Sequence, residues 1–112
     1  MTILHIATQF SKFPGGRFRR FGNYSGEEFR EDVLVPAIDR LGSNEELIID
    51  ISDVMNFPPS FLDEAFAAII RDKTLTLEQF KAKIKFEADE ANQPYIGMID
   101  QYLKDAQKAL SN

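Results

Sequence analysis

The sequence predicts a single α/β domain, residues 1–112, in which about four strands form a mixed sheet that opens with a β-hairpin and carries about three helices. Three observations lead there. A length of 112 residues suits one compact core. Strand-like and helix-like segments alternate in the order strand, strand, helix, strand, helix, strand, helix. The third is the run Leu47-Ile48-Ile49-Asp50-Ile51, short and almost continuously apolar, as in a central strand covered on both faces.

Each element has its own signal. Thr2 to Phe10 is rich in β-branched and aromatic residues, Phe13-Pro14-Gly15-Gly16 supplies turn chemistry, and Arg17 to Phe21 resumes an alternating pattern, which reads as the hairpin. Ser25 with Glu28 forms a capping box, and Phe29, Val33, Leu34, Ile38 and Leu41 recur at helical spacing up to Gly42, so a first helix is expected over 26–41, with a kink or a restart at Pro36. Asn56-Phe57-Pro58-Pro59 breaks regular structure. Ser60 and Asp63 then read as a second capping box, opening a helix over 61–71 with Leu62, Ala65, Phe66, Ile69 and Ile70 as its apolar stripe. Thr76 to Gln79 suggests one helical turn before a strand over 82–86. After a polar stretch, Pro94 starts an amphipathic helix with Tyr95, Ile99, Tyr102, Leu103, Ala106 and Leu110.

Composition narrows the function classes. Hydrophobic residues make up 44% and charged residues 28%, the balance of a folded chain and not of a disordered one. With ten Phe, no Trp and no Cys, the core is built from Phe, Ile and Leu, and thiol chemistry is excluded. No apolar run reaches the ~18 residues of a membrane span, and a cytoplasmic location is the simplest expectation. A net charge of -5 speaks against general nucleic-acid binding. Local charge is less even: Lys12, Arg17, Arg19 and Arg20 form a basic patch that could meet an acidic partner or could equally be a solvated face.

The common phosphate-cradling, hydrolase and zinc signatures are absent, so no cofactor, no metal and no catalytic residue is assigned, and the chain is not expected to be an enzyme. The only histidine, His5, sits in the first strand, where a structural or merely exposed role is the default. Asp50 and Asp53 flank the end of the central strand while Asp63 and Glu64 begin the second helix. Several carboxylates therefore gather where α/β sheets commonly place their sites. Capping and loop hydrogen bonds explain Ser60, Asp63 and Asp50 equally well.

The stretch LIIDISDVMNFPPSFLDEAFAAII, residues 47–70, resembles the central strand, loop and helix of STAS domains, the fold of anti-sigma-factor antagonists and sulfate-transporter tails. Together with SGEEFREDVLVPAI before it, the chain is most similar to the bacterial STAS-like branch. The resemblance covers residues 15–72 and is weak in the C-terminal third. It implies a non-enzymatic signalling and regulatory switch that binds another protein, often a histidine-kinase-like ATPase that phosphorylates a Ser or Thr at the helix start. Partner contacts would then fall on Asp50, Asp53, Asn56, Ser60, Asp63 and Glu64, with Ser60 as the candidate phosphoacceptor. The family's Asp-Ser-Ser-Gly or Asp-Ser-Thr-Gly is replaced by Pro58-Pro59-Ser60-Phe61, and an ungapped alignment sets Pro59 at the acceptor position and Ser60 at the second hydroxyl. Two further readings stay open on the residues alone. One is a small-ligand or nucleotide-binding domain with an anion site at the Ser60 helix N-terminus; the other is a small enzyme working through the four carboxylates.

Overall fold

Leu47–Asp50 forms the middle strand, β2, of a sheet whose neighbours are β1 (Thr2–His5) on one side and β3 (Ile84–Glu87) on the other, in a computed structural model that describes residues 2–111. Both pairings are parallel, with Ile3 opposite Ile48 and Ile48 opposite Lys85. The sheet therefore has three parallel strands in the described residues, not four in a mixed arrangement. The missing strand is the second arm of the expected hairpin. β1 ends at His5 because Ile6–Gln9 winds into a short helix, α1, whose turn is closed by the Phe10 and Ser11 N–H groups donating to the Ile6 carbonyl. Residues 15–17 then bond back to 24–27, Gly15 N–H to Tyr24 C=O and Gly26 N–H to Gly16 C=O. Arg17 to Phe21 thus folds as a loop with a 3₁₀ turn at Arg19–Phe21 against the next helix.

That helix, α2, runs over residues 26–39. Ser25 caps it by accepting the Glu28 N–H at 3.0 Å, but the expected box is not closed, since the Glu28 side chain accepts the Tyr24 N–H at 3.1 Å and not that of Ser25. Pro36 does not break it. A π-type turn over Arg30–Leu34 widens the helix just ahead of the proline, which lacks the N–H for the regular ladder, and Val35–Asp39 continues as α-helix. A third helix, α3, covers residues 59–71 and also carries a π-type turn, at Asp63–Ala67. The expected single turn after residue 73 proves to be a full helix, α4 (Leu77–Lys83), closed at its start by a capping box between Thr76 and Gln79. The last helix, α5, spans Gln93–Leu110 as expected. The described residues form five helices, not three, and none of them is long and apolar enough to cross a membrane.

Side-chain parity along the strands separates the two faces of the sheet. Leu4, Leu47, Ile49 and Ile84 share one face and are buried under the helices, with Phe86 beside them half-buried. Ile3, His5, Asp50, Lys85 and Glu87 share the other and are exposed or half-buried, although Ile48 at its centre is shielded. Parallel sheets are ordinarily covered on both faces. The core lies on one side only.

α3 is the hub of that core. Phe61, Leu62, Ala65, Phe66, Ala67, Ala68, Ile69 and Ile70 are all buried, so the helix is apolar nearly all round and packs against α2, α5 and the sheet together. The Phe66 ring meets Phe29 of α2 edge-on with centroids 5.7 Å apart and Phe86 of β3 at 5.2 Å. α2 and α3 approach so closely that a Cβ on Gly26 would stand 2.7 Å from the Phe61 carbonyl oxygen and 2.9 Å from Glu64 Cβ. Two predictions follow from this packing. Phe66→Ala should cost about 3 to 5 kcal/mol by chemical denaturation, and a loss under about 1 kcal/mol would contradict its place in the core. Gly26→Ala should cost about 1 to 3 kcal/mol, because the added methyl meets backbone that cannot rotate away.

Candidate functional site

The carboxyl end of β2 leads into residues 51–58, which cross the molecule to reach α3. The loop is held from beneath by Asn92, whose side-chain amide is buried and donates to the carbonyls of Ile51 at 2.8 Å and Val54 at 3.0 Å. Nothing in the local pattern around Asn92 marks it for this task, since its partners lie about forty residues away in the chain. From the side, Asp89 accepts the Asp53 N–H at 3.0 Å, and Asp53 itself sits at φ 65°, left-handed backbone that Asp tolerates better than most residues. The Met55 N–H then donates to the Lys12 carbonyl at 2.9 Å. This bond joins the β2–α3 loop to the 11–24 loop.

The expected site residues divide between the surface and the interior. Asp50 accepts the Ser52 N–H at 3.0 Å and meets His5 Nδ1 across the strands at 2.8 Å. Burial pushes its carboxyl up, but hydrogen bonds from Ser52 and His5 outweigh that and leave it below its ordinary value. Asn56 is exposed and accepts the Tyr95 hydroxyl at 3.2 Å. Asp63 is gripped by Arg17 Nη1 at 2.6 Å and Arg71 Nη1 at 2.9 Å. Glu64 is buried, pairing with Arg30, which also donates to the Glu64 carbonyl at 2.7 Å; Arg71 stands 3.7 Å from its other oxygen. Both acids face the protein's own arginines. Their role in the structure is to tie the 11–24 loop and α2 to α3.

The basic patch is largely neutralised in the same way. Arg17 is bound to Asp63, with its pKa raised first by that hydrogen bond. Arg19 makes paired hydrogen bonds to Glu31 and Asp32 on α2. Arg20 instead lies 4.9 Å from the ring centroids of both Phe18 and Phe21. Among the exposed residues of the two joined loops are large apolar ones: Phe13, Phe21 and Met55 are about two-thirds exposed, and Tyr24 is exposed as well.

Ser60 does not cap α3. The cap is Pro58, whose carbonyl accepts the Phe61 N–H at 3.0 Å, while Pro59 occupies the first helical position, where a missing N–H costs nothing. Ser60 lies one residue further in, half-buried, and none of the hydrogen bonds found includes its hydroxyl. Among the described residues no group of three or more His, Asp or Glu side chains could hold a metal ion.

The two strands β2 and β3, the apolar central helix α3 and the loop from β2 to that helix form one unit over the middle of the chain. The model of a protein family described as "STAS-like domain of unknown function (DUF4325)" matches residues 25–93, a span that contains this unit. The chain belongs to that family. Comparison with curated proteins and with solved structures gives no match. Within this STAS-like domain the matched span takes in α2, β2, α3 and β3 and leaves out β1, the 11–24 loop and nearly all of α5.

Three outcomes are expected at this site. Arg30→Ala should cost about 3 to 5 kcal/mol, because it strands a buried carboxylate. Ser60→Ala should change stability by less than about 0.5 kcal/mol, since no cap is lost. The Asp63 carboxyl is raised by burial but lowered further by Arg17 and Arg71, so its folded-state pKa lies below the ordinary 3.8. A depressed acid contributes stability that is present above its unfolded value and disappears as pH falls through the folded value. Asp63→Asn should accordingly be less stable than the wild type at neutral pH and lose less on acidification below about pH 4, which urea titrations at several pH values would measure.

Proposed function

We propose that this STAS-like domain is a non-enzymatic protein-interaction module of anti-sigma-factor-antagonist type, docking on a histidine-kinase-like ATPase or a similar signalling partner through the joined 11–24 and 51–60 loops. The observation that carries this reading is the Met55 to Lys12 backbone bond, which sets two exposed apolar side chains, Met55 and Phe13, at neighbouring positions on loops that are otherwise pinned. Exposed aromatic and methionine side chains on ordered backbone are the usual anchors of protein interfaces, because they bury much area at little cost in entropy. Phe21, exposed on the same 11–24 loop and packed on Phe18 and Arg20, is a further apolar group available to a partner. Asn56 and Asp53 supply polar groups at its edge.

Ser60 fits this reading as a point of regulation. Its hydroxyl is half-exposed in the first turn of α3, where added negative charge is favoured by the helix dipole. Phosphate there would add charge at the start of α3, just after the β2–α3 loop, and would break none of the hydrogen bonds described above.

The test is a titration of a histidine-kinase-like ATPase from the same genome with the wild type, a Phe13→Asp/Met55→Asp double variant, Ser60→Ala and Ser60→Asp, with unfolding midpoints recorded for each. The double variant should bind at least about tenfold more weakly with an unchanged midpoint, and Ser60→Asp should shift affinity where Ser60→Ala does not. Mass spectrometry after incubation with the ATPase and ATP should find phosphate on Ser60. Equal affinity in all four proteins would remove the loops from the interface, and an unmodified Ser60 would remove the switch.

A further inference from the structure

β3 is an edge strand, and its outer side opens onto a groove of about 440 Å³ whose opposite wall is α5. Phe80, Ile84 and Phe86 line it from the α4–β3 side, and Ile96, Ile99 and Leu103 line it from the helix. The Ile51 N–H bonds to the Glu87 carbonyl, so the backbone groups of Glu87 and Lys85 turn inward to β2. By the alternation of the ladder, the Phe86 N–H and C=O and the Ile84 C=O turn outward to the groove. The Ile84 N–H is already taken by the Phe80 carbonyl and the Ala88 C=O by the Gln93 side chain, which leaves a short stretch of strand edge open for pairing.

Gly97 gives an independent sign that something approaches here. It lies inside the eighteen-residue α5, where glycine costs roughly 1 kcal/mol of helix stability relative to alanine. No close packing within the chain accounts for it, since a Cβ on Gly97 would meet nothing within 4 Å. Gly97 lines the groove and keeps it wide.

The charges around the groove select the occupant. In a chain of net charge -5, the segment Lys81-Ala82-Lys83-Ile84-Lys85 carries three lysines and no acid. Lys81 and Lys85 stand at the groove; Asp100 there is shared between Lys81 at 2.8 Å and Lys104 at 2.9 Å, and Lys85 has only the more distant Glu46, at 3.9 Å, so the three lysines face two acids. Lysines on an edge strand disfavour pairing with a second copy of the same edge. They favour an acidic strand. We propose that this groove is a second interaction site, independent of the loop surface, which takes an extended acidic peptide segment of a partner by strand addition to β3, with an apolar side chain of that segment seated between Phe86 and Gly97.

The test uses two short synthetic peptides, one alternating Glu with Val and one alternating Lys with Val, together with a Glu–Val peptide N-methylated on the backbone of alternate residues, and decanoate as a small amphiphilic anion. Binding to the isotopically labelled domain is followed by amide NMR shifts. The Glu–Val peptide should bind saturably and move the Phe86 and Gly97 amides, while the Lys–Val and N-methylated peptides should not. Gly97→Leu should fill the groove and weaken binding by at least about tenfold without lowering the unfolding midpoint, and Lys85→Glu should weaken it as well. Equal binding of the N-methylated peptide would overturn strand addition. Saturable decanoate binding with no peptide binding would make the groove a small-molecule site, and dimerisation through β3 would make it a self-interface; either result, or an absence of all binding, overturns the proposal.

Discussion

The buried Glu64 carboxylate and its pairing with Arg30 is the constraint around which the rest of the molecule is arranged. α3 is covered on nearly every side, and a charge inside such a helix is tolerated only with a partner held in fixed geometry. Arg30 comes from α2, so the pair demands that α2 lie directly against α3. Gly26 makes the contact feasible, since any larger residue would strike the Phe61 carbonyl. The π-type turns of the two helices fall on these same contact segments, Arg30–Leu34 and Asp63–Ala67. Arg17 and Arg71, clasping Asp63 one residue earlier, extend the lattice to the 11–24 loop. Five charged groups thus hold three segments that the apolar core alone would leave free to slide.

This arrangement ties down the surface loops proposed as a binding face. The 11–24 loop is anchored at Arg17 by Asp63, at Arg19 by Glu31 and Asp32, and at Lys12 by Met55. Arg17 is bound inward to Asp63, while Phe13 and Phe21 of the same loop stay exposed. A partner meeting Phe13, Phe21 and Met55 would bury them without first ordering the backbone that carries them, which lowers the entropic cost of association. The groove beside β3 sits at the far edge strand of the sheet, lined by α4 and α5, and draws on different elements. The two surfaces can be disabled separately.

Much of the architecture could be read along the chain, because its signals are local. The Ser25–Glu28 cap, the apolar run of β2, the stripe from Leu62 to Ile70 and the Pro94 helix start each depend on neighbours within a few residues, and each element forms close to its expected bounds. The resemblance over 47–70 led to the family that the matched span 25–93 shows. The hairpin failed because alternation in Arg17 to Phe21 is a local pattern, whereas strand pairing is decided by competitors elsewhere. Tyr24 to Glu27 took the backbone of Gly15 to Arg17 first. Ser60 was read as a cap for a similar reason: the Ser-x-x-Asp spacing is right, but two prolines just before it had already set the helix start one turn boundary earlier.

By itself, then, the sequence determined the class of the fold, the central strand and helix, the core residues Ile48, Ile49, Phe66 and Ile69, and the absence of thiol chemistry, since all of these follow from residue type and short-range periodicity. Only the tertiary structure decided which charges are available. Arg17, Asp63 and Glu64 look like a polar recognition surface in the sequence, and in the structure they are ties between segments, because opposite charges from distant parts of the chain meet once α2, α3 and the 11–24 loop pack. The groove at Gly97 and the exposed pair Phe13 and Met55 belong to the same category, for they exist only where two segments far apart in the chain come side by side.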